Sequence, residues 1–364
     1  MRIVLLLILL FHGLIHFMGF AKAFHFGNLA QFTKDIPKPM GLLWLLTGLL
    51  FIVSGILYMM KKDAWPILAI IAVVLSQILI FMVWTDAKFG TIANVIVLIM
   101  AIMGYGTQTF ENSYKKDVAA AMQKMVATDE VITESDLATI PEPVRNYLNY
   151  VGVVGKPKLQ NVKIVFEGEM RDRGKAWFKF TSEQYNFFDD PTRLFFMKAK
   201  VLGLPTTGYH RYTKDGAGMM IKLLSLFPVA KVDGPAMFPT ETVTFFNDLC
   251  LFAPVALIDD RIQWETMDKQ TVKTMFTVNG TTISAMLYFN EKGQLVNFVS
   301  DDRISVDEMK TYPFSTPTGN YQNINGYNLP TYGEAVWHYP DGEFVYGKFN
   351  LKSIEYNVSQ LQEK

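Results

Sequence analysis

The stretch IQWETMDKQTVKTMFTVNGTTISAMLYFNEKGQLVNFVS, residues 262–300, decides the fold of the larger part of this chain. It divides into four short runs, 262–267, 271–278, 281–289 and 295–300, each rich in Val, Ile, Thr, Phe, Tyr or Met. Apolar and polar residues alternate within the runs, which is the period of a half-buried strand and not of a helix. Asn279-Gly280 and Asn290-Glu291-Lys292-Gly293 separate them. Asn-Gly tolerates the left-handed dihedrals of a tight hairpin turn, and strands joined in succession by such turns pair antiparallel.

The same grammar extends in both directions. Toward the N-terminus, Val162, Ile164, Phe166 and Met170 alternate with Lys163, Glu167 and Glu169, and strands follow at 177–188, 193–201 and 208–213. Lys214-Asp215-Gly216 is a hairpin turn after the last of these. Toward the C-terminus, strands at 321–324, 332–339 and 344–356 are joined through Asn325-Gly326 and Asp341-Gly342. One helical segment interrupts the strands at 241–257, with Val243, Phe246, Leu249, Cys250 and Ala253 on one stripe. A shorter amphipathic helix spans 144–151 after the breaker Ile140-Pro141-Glu142-Pro143. The expected fold class of this part is α+β: a curved antiparallel sheet or half-open β-barrel covered by one or two helices.

The first third reads differently. About 20 apolar residues are needed to cross a bilayer core as a helix. Candidates lie at 3–24, 40–60, 65–84 and 91–105, with Trp44, Tyr58, Trp65 and Trp84 near span ends, where aromatic rings favour the membrane interface. The expected domains are a transmembrane four-helix bundle at 1–106, a helical linker at 107–140, and a soluble curved-sheet domain at 141–364. Ala21-Lys22-Ala23 resembles a signal-peptide cleavage site, but the apolar stretch before it is long, two histidines interrupt it and further spans follow. Arg2, Lys61, Lys62, Lys115, Lys116 and Lys124 fall on one side of four spans, and Lys22, Lys34, Lys38 and Lys88 on the other. The positive-inside rule then places both termini, and the soluble domain, in the cytoplasm of a multi-pass inner-membrane protein.

His12 and His16 share one face of the first helix, near Gly13 and Gly19. They read either as a metal or haem ligand pair, or as hydrogen-bonding partners of Ser76, Gln77 or Asn94 on neighbouring spans. The second reading is favoured because no other span supplies a histidine. No span carries an acidic or basic residue deep inside it, which disfavours ion-coupled transport.

The soluble part carries 34 basic and 34 acidic residues together with the rest of the chain, a balance that offers no field for nucleic acid. The lone Cys250 cannot form an internal disulfide and reads as a buried small hydrophobe. Nucleophile elbows, phosphate-binding glycine loops, metal boxes and paired carboxylates are missing from their required contexts. Asp189-Asp190 and Asp259-Asp260 read as solvated loop pairs, and Asp301-Asp302-Arg303 as a strand-end charge group. No cofactor is expected. Aromatics are 14% of the chain, enough that a curved sheet built from them can leave an apolar pocket.

Pro141-Glu142-Pro143-Val144-Arg145-Asn146-Tyr147-Leu148, followed by Gly152-Val153-Val154-Gly155, resembles the opening of a bacterial family of unknown function anchored by N-terminal helices. Trp177 with Phe180 and Glu183, Gly208-Tyr209-His210-Arg211-Tyr212, Trp264-Glu265, and the ending Tyr321, Gly326, Leu329-Pro330 and Trp337 extend the resemblance over about 140–357. That family brings no activity with it. The strand run is also similar in layout to lipoprotein carriers of the LolA and LolB type, half-open barrels that hold acyl chains outside the inner membrane, which is at odds with a cytoplasmic domain.

These observations suggest a non-catalytic, membrane-tethered binding module for a lipid or other apolar ligand. Trp177, Tyr209, Trp264 and Trp337 are the candidate lining residues, and Arg211 is the candidate partner of an anionic head group. One alternative is a structural or regulatory partner of another membrane protein. The other is an enzyme on a membrane-associated substrate, with Glu183, Arg211 and Glu265 as its polar groups.

Overall fold

The computed structural model describes all residues except 1, 28, 30–32, 127, 307 and 362–364. The chain forms two compact units, Met1–Phe110 and Glu111–Lys364.

In the first unit, α1 (Arg2–Ala23), α2 (Lys38–Met59), α3 (Trp65–Met82), a single turn α4 (Trp84–Ala87) and α5 (Gly90–Met122) follow one another. Among the described residues, α1, α2, α3 and α5 are long and apolar enough to cross a membrane. α1 and α2 approach on glycines: a methyl on Gly13 would lie 2.9 Å from the Gly48 carbonyl oxygen, and one on Gly19 would enter the Trp44 ring. The polar groups of the bundle satisfy one another. His12 Nε2 lies 2.9 Å from Asn94 Oδ1, and His16 Nε2 lies 2.9 Å from Ser76 Oγ. Asn94 Nδ2 donates to Gln77 Oε1 at 3.0 Å, and Gln77 Nε2 to Thr91 Oγ1 at 3.1 Å. These are the partners that the spacing of the sequence suggested. His16 Nδ1 is also engaged, 2.7 Å from the His12 carbonyl.

α5 does not stop near Tyr105. It continues without a break to Met122, so the linker is a helical extension for its first part only. Beyond it, Thr133 and Asp136 form a reciprocal capping box, but the helix they start is a single 3-10 turn, Glu134–Leu137. Residue 127 of the expected linker helix lies outside the described residues.

The second unit continues with α6 (Glu142–Val151), then β1 (Asn161–Met170), β2 (Phe178–Phe187), β3 (Thr192–Val201), β4 (Leu204–Thr213), β5 (Gly216–Leu223) and β6 (Phe227–Asp233). α7 (Met237–Phe252) separates these from β7 (Ile262–Thr266), β8 (Thr271–Val278), β9 (Thr281–Phe289) and β10 (Leu295–Ser300). The short β11 (Ile304–Ser305), β12 (Lys310–Thr311) and β13 (Phe314–Ser315) precede β14 (Thr318–Ile324), β15 (Tyr327–Tyr339) and β16 (Gly342–Tyr356). A 14-stranded sheet runs in the order β6-β5-β4-β3-β2-β1-β16-β15-β13-β10-β9-β8-β7, with β14 on β15. Every pairing is antiparallel.

The sheet curls into a half-barrel. α7 touches β3, β4 and β5 from one side of this order and β9, β10 and β15 from the other, so strands distant in the ladder wrap one helix. Register shifts at Val165/Phe166, Ala335/Val336 and Ile221/Lys222 add the local bend and twist that such a curl needs. Phe245, Phe246 and Leu249 of α7 are buried against the concave face, Phe246 stacking on Phe276 at 4.8 Å. α6 closes on the same core, its Tyr147 hydroxyl donating to the Cys250 carbonyl at 2.7 Å. It ends where Gly152 takes φ 84°, the left-handed conformation that terminates helices at little cost in glycine.

Candidate functional site

α7 does not fill the curl completely. Between it and the middle of the sheet lies a cavity of about 130 Å³. Its walls come from β1 to β4, β13, β15, β16 and the last two turns of α7. Strand alternation explains who faces it: Phe166 and Met170 on β1, Gln184 on β2, Arg193 and Phe195 on β3 and His210 on β4 all point to the concave side. Phe252, Phe314 and Phe349 complete an apolar wall of five phenylalanines.

One side of the cavity is polar and tightly paired. Arg193 Nε donates to Asp248 Oδ2 at 2.7 Å, and Gln184 Nε2 and Asn186 Nδ2 reach the same oxygen at 2.9 and 3.1 Å. Arg193 also lies 3.5 Å from Glu241, which takes His210 Nδ1 at 3.0 Å. Burial works against the Glu241 carboxylate, but His210, Arg193 and Arg303 outweigh it and hold its pKa below the usual glutamate range. Burial likewise opposes the Arg193 charge, and Asp248 and Glu241 more than restore it. Such a network is silent in sequence, because its members come from three strands and a helix far apart in the chain. One signal was there: Glu241 and Asp248 are seven apart on the apolar helix, so both sit on its packed face.

Arg303, at the opposite wall, is placed differently. Its guanidinium carbon lies 3.9 Å from the Phe314 ring centre and 5.3 Å from that of Trp337. Its buried Nε has no hydrogen-bond partner among the described residues. Sequence reading had grouped it with Asp301 and Asp302. Instead, Asp302 accepts from the Ser284 backbone at 2.6 Å and leaves the arginine to the aromatic rings.

None of the ligand candidates named from the sequence lines this cavity. Glu183, Tyr209 and Arg211 are brought together, but on the convex face, beneath the end of α5. There Tyr114 stacks on Phe196 at 5.4 Å and its hydroxyl lies 3.4 Å from Glu183. Asp117 accepts from the Tyr209 hydroxyl at 2.7 Å and from Arg211 Nε at 3.2 Å. Burial, and then the bond to Asp117, push the Tyr209 hydroxyl well above the ordinary tyrosine range. Trp177 lies between Arg171 and Lys348, outside the strands. Trp264 and Glu265 are on β7, the last strand of the order, where Glu265 pairs loosely with Lys273 at 3.9 Å. Trp337 is near the cavity only as the ring behind Arg303. Among the described residues, no group of three or more His, Cys, Asp or Glu is placed to hold a metal ion.

The sequence model of a family of unknown function, DUF6544, matches residues 130–349. No curated protein matches the chain. Among solved structures, a domain from Vibrio parahaemolyticus described as an outer membrane lipoprotein-sorting protein is similar at 11% identity and a TM-score of 0.34, over 56% of this chain and 87% of that one. A LolA superfamily protein from Nitrosomonas europaea is similar at 9% identity and a TM-score of 0.34, over 59% of this chain and 94% of that one.

Proposed function

The chain belongs to the family of unknown function DUF6544, whose name assigns no activity, and we propose that it is a membrane-tethered binding module for a lipid or other apolar ligand. The observation that carries this reading is the cavity between α7 and the sheet, walled by five phenylalanines and closed at one side by the Arg193 network. A curled sheet whose enclosed helix leaves an aromatic space is suited to hold an apolar chain. The size limits the cargo. A cavity of about 130 Å³ suits a single short chain or the end of a longer one better than a whole diacyl lipid. The four apolar helices of the first unit support the tether, and the lysine distribution supports a cytoplasmic second unit.

Native mass spectrometry of the full chain released from lipid nanodiscs tests the ligand. A stoichiometric amphiphile that survives gas-phase removal of annular lipid, and that disappears when the cavity is filled by Thr244→Phe, is the expected result. Equal lipid retention by both proteins would overturn it. A C-terminal reporter fusion active only outside the inner membrane would overturn the cytoplasmic placement.

A second reading, contact with another membrane protein, draws on the edge strand β6, where Phe227 and Val229 are 60% and 59% exposed. Photocrosslinking from position 229 in intact membranes, with no protein captured, removes it. Of the polar groups named for the enzyme alternative, Glu183 and Arg211 are engaged with Lys163 and Asp117, and Glu265 sits on a distant strand.

A further inference from the structure

We infer that the ligand of the cavity carries an acidic head group, a carboxylate or a phosphate, and that Arg303 is its partner; this rests on the cavity being a ligand site. The argument begins with a contrast between the two arginines of the wall. Arg193 is spent inside the protein, bound to Asp248 and beside Glu241. Arg303 adds to the field that holds Glu241 ionised, but its buried Nε donates to no described residue, although an arginine carries five donors and a permanent charge. Its flat face is taken by Phe314, which holds the guanidinium in one plane and leaves its edge to donate.

An unpartnered buried N–H is costly, and a ligand oxygen at that position relieves the cost. The other carboxylates nearby are already committed. Asp248 takes three donors, Glu241 takes His210, and Glu334 accepts from the Tyr332 hydroxyl at 2.6 Å. A second unmet group lies in the same cavity. Asn247 Oδ1 is buried without a donor, while its Nδ2 is bound to Thr316. The cavity therefore offers an arginine with an unmet donor, an acceptor without a donor, and an apolar wall for a chain. A short acidic amphiphile, with a hydroxyl or amide hydrogen near its head, meets all three.

The test uses diazirine-bearing decanoate, decyl phosphate and decanol, photolysed on the full chain in nanodiscs, with labelled peptides mapped by mass spectrometry. Labelling of cavity peptides by the two acids roughly tenfold or more above decanol is expected, as a charge-assisted bond implies. R303Q should bring the acids down to the level of decanol while decanol labelling stays, and R303K should recover part of the preference. Labelling by decanoate alone identifies a free carboxylate, and labelling by decyl phosphate also admits a lipid phosphate. Equal labelling of the wild type by acid and alcohol, or an acid preference that R303Q leaves unchanged, overturns the role of Arg303 but leaves the cavity reading standing. If no probe labels cavity peptides in the wild type, both readings fall.

Discussion

Arg193 Nε donates to Asp248 Oδ2 at 2.7 Å across the concave face, tying the third strand to the enclosed helix where neither side chain meets much solvent. Gln184 and Asn186 converge on the same oxygen, so directional bonds fix the rotation of the helix against the sheet. The cavity is what that rotation leaves open.

Removing the cation alone should therefore be severe. Arg193→Met leaves Asp248 buried without its counter-charge, and Glu241 with only His210 and Arg303, and should cost about 3–5 kcal/mol. Replacing the pair together, as Arg193→Met with Asp248→Leu, should recover much of that loss. Denaturant unfolding of the full chain in micelles measures both. A single variant within about 1 kcal/mol of wild type would show that the pair does not seat the helix.

Filling the cavity separates its two meanings. Thr244 faces it from α7, and its hydroxyl is bound back to the Thr240 carbonyl at 2.9 Å. Thr244→Phe adds bulk where there is space, so its stability should stay within about 1–2 kcal/mol of wild type, whereas overpacking a filled core costs about 1–3. Ligand retention should vanish in the same protein. A large loss of stability would mean that the space closes in solution.

Much of this architecture was legible and some was not, for reasons that differ by element. The strands at 271–278 and 281–289 match β8 and β9, because alternation and the Asn279-Gly280 turn act locally. Asn279 indeed takes φ 51° and Gly280 φ 74°. The strands β5 and β6 went unread. Met219, Met220 and Ile221 run together in β5, and β6 is a largely exposed edge, so neither shows the contrast between faces that a period needs. The candidate site was the least legible part. Tyr209 and Arg211 sit one residue either side of His210, and the pleat sends them to the convex face while His210 goes to the cavity. Sequence gives that alternation but not which face is hollow, which is settled by where α7 and the end of α5 lie.

The convex face should make stability fall in alkali. The Tyr114 and Tyr209 hydroxyls are buried against Glu183 and Asp117, and burial followed by those carboxylates raises both above the ordinary value near 10. A group that ionises later when folded contributes stability that is fully present below pH 10 and is lost as pH rises toward the folded value. Wild-type protein should thus weaken progressively above pH 10, and a Tyr114→Phe, Tyr209→Phe double variant should weaken less steeply from a lower start. Melting temperatures across that range decide it, and parallel curves would refute the assignment.

Gly168 offers a test of how closely the central strands approach. A methyl at this position would lie 2.0 Å from the Lys348 carbonyl oxygen and 2.7 Å from the Phe180 ring. Backbone cannot yield as a side-chain tip can, so Gly168→Ala must part β1 from β16 or turn Phe180 against Phe349, which it meets edge-on at 5.1 Å. Phe349 is also a wall of the cavity. The expected cost is about 2–3 kcal/mol, with weaker ligand retention, since overpacking a tight site carries that order of penalty. Gly174 is the control: it has φ 69° and open space around it, so Gly174→Ala should cost about 1–2 kcal/mol through its left-handed backbone alone, with no clash, and leave retention unchanged. Equal effects of the two alanines on unfolding would mean that the strands relax freely around Gly168, and that its closeness to β16 does not shape the cavity wall.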